Sequence, residues 1–228
     1  MPSAPRGKKA QHRYQRSASD IDYKSSFEET ESLFYLIKEN GWATVTLAVT
    51  LIIVYIFTAI ESSDLFITSN SVISQWGQDN NLVVNGQVWR LFTSIFVHAN
   101  IIHLGGNLLF LFIFSWRLEE LKGWKHVFII FIIAGLGGNL LTLGLVFISQ
   151  VDFLSVGASG AVEGMFGANI TILFMSRQYP RGPLAFLSVM VIFFLLTISK
   201  DTNFIAHFGG LITGIAYIYI INKYQIDF

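Results

Sequence analysis

The chain has 228 residues, of which 53% are hydrophobic and 13% charged, with a mean hydropathy of +0.55. This excludes an ordinary soluble domain, and the lack of any cysteine excludes disulfide, thiolate and Cys-based metal chemistry. Fifteen Lys and Arg balance fifteen Asp and Glu, so net charge says little about partners.

Residues 1–40 read as a polar tail, rich in Ser, Lys and Arg and without the early apolar run of a secretory signal peptide. Within it, Phe27 to Asn40 mixes Glu and Lys with Phe34, Tyr35, Leu36 and Ile37, a pattern that suits a short helix lying on the membrane surface. A spanning helix needs about 20 mostly apolar residues. Windows free of Asp, Glu, Lys and Arg run from Gly41 to Ile60, Leu91 to Trp116, Val127 to Val151, Gly182 to Ser199 and Thr202 to Asn222. A further window, Phe153 to Ser176, is interrupted by Glu163 alone. The fold class expected is therefore all-α: a polytopic bundle of six transmembrane helices over residues 41–223. The connection from Glu61 to about Asn100 is too apolar for a free loop and is expected to be ordered and partly interfacial.

Charge sets the orientation. With the first span running outwards, 13 of the 15 basic residues fall on inner segments, and only Arg90 and Lys200 fall outside. Trp42, Trp116 and Trp124 then mark inner boundaries, while Trp76 and Trp89 lie in the outer connection. Both termini are expected in the cytoplasm, with the chain in the cell membrane.

This topology gathers polar residues at one depth. His98, His103 and Asn107 fall at or just below the outer end of span two, Ser159 of the run Gly157-Ala158-Ser159-Gly160 opens span four, and His207 lies a few residues into span six. Gly160, Gly164 and Ala168 recur every fourth residue, as do Ala206, Gly210 and Gly214, a spacing that lets membrane helices approach closely. Acyl-transfer chemistry assigns Ser159 as nucleophile and His207 as general base and then general acid. The Ser159 backbone N–H, with His103 and Asn107 at i, i+4 on one helical face, would receive the oxyanion.

Each residue also has a plainer use. A serine beside glycines packs helices more often than it reacts, the lone His207 could be an interhelical hydrogen-bonding group, and His98 and His103 could mark the headgroup boundary. A zinc site on those two histidines lacks a third ligand. Asn139 is read as structural, and His12 and His126 have no catalytic companion. No metal or cofactor is expected, and no nucleic-acid partner.

Trp89-Arg90, HANIIHLGGN from His98 to Asn107, GASG at 157–160 and AHFGGLITG at 206–214 together resemble the rhomboid family of intramembrane serine proteases, across Trp42 to Asn222. The resemblance implies a six-helix core with a water-filled cavity open to the outside. It implies cleavage of single-span membrane proteins near the outer face, with the bilayer as the other partner. Carried over by position, Ser159 is the nucleophile, His207 its base, and His103 with Asn107 the oxyanion donors. Structural support is expected from His98, Trp89, Arg90, Gly157, Gly160, Gly210 and Gly214. In the run RLEEL, Glu119 is expected to brace helix ends, with Glu120 as the competing choice. Substrate entry would use motion near Gly182-Pro183 or Lys200-Asp201-Thr202-Asn203. The competing functions are a non-catalytic rhomboid-like protein that binds membrane clients and, further off, a small-solute transporter.

One position departs from the family. Four residues after Ser159, where rhomboids commonly carry an aromatic residue against the catalytic histidine, this chain has Glu163. It is expected one turn below Ser159, either orienting His207 or sitting protonated or solvated without a catalytic role.

Overall fold

The computed structural model describes residues 41–149, 154–175, 188, 192 and 203–226. The chain divides into Met1–Lys38 and Glu39–Phe228. The expected tail and surface helix lie outside the described residues, as do the span-five window apart from Ser188 and Ile192 and the hinge residues Gly182, Pro183, Lys200, Asp201 and Thr202.

Five long helices carry the described part of Glu39–Phe228: α1 (Trp42–Ser62), α5 (Ile101–Lys122), α6 (Trp124–Ser149), α7 (Ser159–Met175) and α8 (Phe204–Tyr224). Between α1 and α5 lie three short helices, α2 (Asn70–Trp76), α3 (Asn80–Val84) and α4 (Arg90–Thr93), and the two-residue strand β1 (Gln78–Asp79). Strand β2 (Leu154–Ser155) pairs antiparallel with β1, Gln78 opposite Ser155 and Asp79 opposite Leu154. Among the described residues, α1, α5, α6 and α8 are long and apolar enough to cross a membrane. Their outward side chains, including Ile53, Ile56, Phe57, Leu109, Phe112 and Phe208, are exposed and apolar, as lipid contact requires. The protein is an integral membrane protein.

Two windows begin later than their composition predicts. Span two starts at Ile101 rather than Leu91, because Leu91 to Ala99 belongs to α4 and the loop after it, and Asn100 accepts the His103 N–H at 2.8 Å to open α5. Its apolar side chains serve a different contact: Ile95 is buried against α6, where it meets Gly135. Helix α7 starts at Ser159 rather than Phe153, since Leu154 and Ser155 are drawn into the ladder with β1.

Paired contacts fix the directions. Gly160 meets Gly210, and Gly164 meets Gly214, so α7 and α8 run parallel. Gly157 lies on His103 while Asn169 donates to the Phe114 carbonyl at 2.8 Å, so α5 runs parallel to them. Helix α6 is antiparallel to α8, touching Ala206 with Gly138 and Tyr217 with His126. A side chain at Gly210 would collide with the Gly160 carbonyl, and one at Gly214 with the Gly164 carbonyl. In a membrane protein, where lipid is as apolar as leucine, such close backbone packing supplies the attraction between helices. Phe114, Phe131, Phe166, Leu111, Ile130 and Met165 fill the centre.

At the opposite end from Ser159, Trp42 and Trp124 lie 5.1 Å apart and Trp116 covers Gly41. Here Glu119, 5% exposed, closes the first turn of α1: one carboxylate oxygen accepts the Ala43 N–H at 3.0 Å, and the other accepts the Thr44 N–H at 3.0 Å and its hydroxyl at 2.8 Å. Glu120 instead meets Arg117 and the Trp116 indole on the surface, each at 3.1 Å.

Candidate active site

The three parallel helices α5, α7 and α8 all begin at the end away from Trp42, Trp116 and Trp124, and each carries a chemistry-bearing residue in its first turns. Ser159 is the first residue of α7 and is partly buried. His103 and Asn107 lie in the first two turns of α5, and His207 is the fourth residue of α8. The side of α7 that approaches α8 at Gly160 meets Ala206, the neighbour of His207; a Cβ on Gly160 would stand 3.2 Å from the Ala206 carbonyl oxygen. The glycine seam thus brings the start of α7 and the start of α8 together.

Gly157 joins α5 to the same place. Its φ is +123°, a conformation that favours glycine. A Cβ there would come within 2.8 Å of His103 Cε1 and Nε2 and 3.9 Å from Asn107 Nδ2. The missing side chain leaves the His103 ring and the Asn107 amide against the backbone that leads into Ser159. Asn107 Nδ2 spends one N–H on the His103 carbonyl at 2.9 Å; a primary amide has a second to offer.

The loop carrying Gly157 is held from behind. Its N–H donates to the Ser94 carbonyl at 2.9 Å. Asn139 donates to the Ser94 hydroxyl at 2.9 Å and to the Leu91 carbonyl at 2.7 Å. Asn203, which caps α8, donates to Ser155 at 2.6 Å and to Thr142 at 3.0 Å. Asn100 and Asn203 hold the starts of α5 and α8, and Asn203, expected in the segment that moves for substrate entry, is tied to Ser155 and Thr142; an Asn directly before an apolar helical run is the signal for both caps.

The connection between α1 and α5 is pinned by charge and by burial. Arg90 is buried, and its guanidinium donates to Gln87 Oε1 at 2.7 Å and to the Ser74 and Gly77 carbonyls at 2.7 and 2.8 Å. Trp89, beside it, is half exposed. His98 lies in the loop before α5, wholly buried, with its Nδ1 3.1 Å from the Phe96 carbonyl and its ring edge-on to His103 at 5.2 Å. Burial, reinforced by His103 and opposed by the Phe96 carbonyl, holds the His98 imidazole down at about 3. It is therefore neutral at physiological pH, and its contact with a carbonyl assigns the ring proton to Nδ1.

Glu163 lies one turn below Ser159, 2% exposed, with Oε1 3.8 Å from His207 Nδ1. That is ion-pair distance and too long for a hydrogen bond. His126, by contrast, sits at the far end beside the Tyr217 hydroxyl at 2.9 Å.

The Rhomboid domain family model matches residues 85–224, which include every one of these groups from Trp89 to Gly214. RHOMBOID-like protein 6, mitochondrial, of Arabidopsis thaliana is 35% identical over 152 residues, 64% of this chain and 48% of that protein. Rhomboid-like protease 3 of Toxoplasma gondii is 33% identical over 147 residues, 61% of this chain and 54% of that protein. The putative rhomboid protease YdcA of Bacillus subtilis (strain 168) is 32% identical over 135 residues, covering 58% of this chain and 66% of that protein. The chain spans about half the length of the first relatives it matches. With the family model covering well over half of its 228 residues, the chain belongs to the rhomboid family.

Proposed function

We propose that this protein is an intramembrane serine endopeptidase that cuts single-span membrane proteins near the outer face, through Ser159 and His207. The observation that carries the reading is the meeting of three parallel helix starts at Gly157, Gly160 and Ala206, each bringing one part of an acyl-transfer site. Membership of a family in which two of the cited relatives are named proteases supports it.

Ser159 Oγ attacks the scissile carbonyl carbon while His207 takes its proton. The tetrahedral oxyanion is received by the Ser159 N–H, the His103 ring and the second N–H of Asn107. His207 then returns the proton to the leaving amine as the C–N bond breaks, and water releases the acyl group by the reverse sequence. A substrate helix hides its carbonyls in its own hydrogen bonds, so it must unwind where it meets the site. Cleavage therefore falls near the boundary, at small or helix-weakening residues.

The membrane domain in this proposal has six spans over residues 41–223, with both termini in the cytoplasm and the chain in the cell membrane. The distribution of 13 of 15 basic residues on one side supports that orientation. The test uses reconstituted protein, a fluorophosphonate probe and a generic single-span substrate, comparing parent, Ser159→Ala and His207→Ala. Labelling and cleavage are expected in the parent alone. Equal behaviour of all three would reject the protease and favour a client-binding rhomboid-like protein.

A further inference from the structure

Glu163 is the group near Ser159 that the proposed chemistry leaves without a task. It is 2% exposed on α7 of an integral membrane protein, and its Oε1 makes no hydrogen bond among the described residues. A carboxylate in that setting needs a compensating group. The basic group within ion-pair reach of it among the described residues is His207, 3.8 Å away through Nδ1, and that side chain is 6% exposed. The spacing follows from the helix: i and i+4 share a face, so the residue below Ser159 looks at whatever Ser159 looks at.

We infer that Glu163 is a positioning residue for His207, holding the ring proton on Nδ1 and offsetting the charge the imidazole gains as Ser159 reacts. This rests on the protease reading above. The Ser159 hydroxyl proton passes to His207 Nε2 as the Oγ–C bond forms. The Nδ1 proton stays in place, facing Oε1, and no proton is transferred to Glu163. When the C–N bond breaks, the Nε2 proton leaves with the amine, and the imidazole is neutral again. The carboxylate fixes the tautomer of the resting imidazole and offsets the charge of the imidazolium, which is how a third group assists a serine–histidine pair. Among the described residues His103 of α5 also interacts electrostatically with His207, and it can supply no negative charge to balance the imidazolium.

The experiment compares parent, Glu163→Gln, Glu163→Asp and Ser159→Ala, all full-length and reconstituted. A directly bonded triad carboxylate contributes about 10⁴ in kcat, and at 3.8 Å a smaller effect of about 100-fold is expected for Glu163→Gln. KM and thermal midpoint should stay at the parent values, and fluorophosphonate labelling should slow with kcat. Glu163→Asp, which keeps the charge at shorter reach, should regain about tenfold of that loss. In the parent itself, ¹⁵N spectra of labelled histidine should show His207 protonated at Nδ1, a readout that does not depend on any variant folding. Glu163→Gln within twofold of the parent, Gln and Asp variants of equal kcat, or a resting Nε2–H tautomer would each overturn the inference. Cleavage by Ser159→Ala would instead overturn the protease reading beneath it.

Discussion

Removing the carboxylate of Glu119 tests whether an acidic side chain holds together the end of the bundle opposite Ser159. Glu119→Ala takes away three hydrogen bonds at 2.8 to 3.0 Å and strands the Ala43 and Thr44 N–H groups. Both residues are 0% exposed, so water cannot take the place of the lost acceptor. Hydrogen bonds to a charged group contribute about 1.5–3 kcal/mol each, and a stranded buried donor costs about 1–3 kcal/mol. Because these overlap, the expected loss is about 3–5 kcal/mol, the range for breaking a buried charged contact from one side. Glu119→Gln keeps one acceptor but turns an amide N–H towards another donor, so it should lose roughly half as much. Glu120→Ala removes an exposed pair, 39% accessible on each side, and should stay within about 0.5 kcal/mol of the parent. Reversible unfolding of detergent-solubilised protein, followed by loss of helix signal, measures all three. A Glu119→Ala variant within about 0.5 kcal/mol of the parent, or a larger cost for Glu120→Ala, would refute the reasoning.

The glycine seam should be as intolerant as the chemistry. Gly214→Ala drives a methyl into the Gly164 carbonyl and is expected to destabilise by about 1–3 kcal/mol while lowering cleavage at least tenfold. Gly144→Ala, with nothing within 4 Å, should leave cleavage unchanged and raise helix stability slightly in the same assays. Asn107→Ala should lower kcat by about 10²–10³ with little change in KM, and steady-state kinetics on a single-span substrate would detect it. For His98, the unfolded chain takes up a proton near 6.5 while the folded one resists until about 3. The group is therefore neutral for stability above 6.5 and destabilising as pH falls through that window. His98→Gln should flatten the fall in unfolding midpoint between pH 6.5 and 4.

Much of this arrangement was legible because its signals are local. Ser159, His103, Asn107 and His207 each announce themselves by type and by distance from a helix start, and the every-fourth-residue glycines foretell the α7–α8 seam. Composition misled where an apolar run was not a span. The stretch after Leu91 is greasy enough for lipid, yet Ile95 is buried against α6, and nothing in hydropathy separates protein contact from lipid contact. The β1–β2 ladder was invisible because two-residue strands have no periodicity to read. The relay from Asn139 through Ser94 to Gly157 joins residues 45 and 63 positions apart, and no spacing rule links them.

The parallel starts of α5, α7 and α8 also set an electrostatic bias. Each helix N-terminus behaves as roughly half a positive charge from its aligned peptide dipoles, strongest within the first turn. Three such ends converge around Gly157 and Ser159. A negative oxygen formed there is favoured by the backbone before any side chain is counted, although no Lys or Arg stands in the first turn of these helices. The positive potential is built into the direction in which the chain threads the membrane.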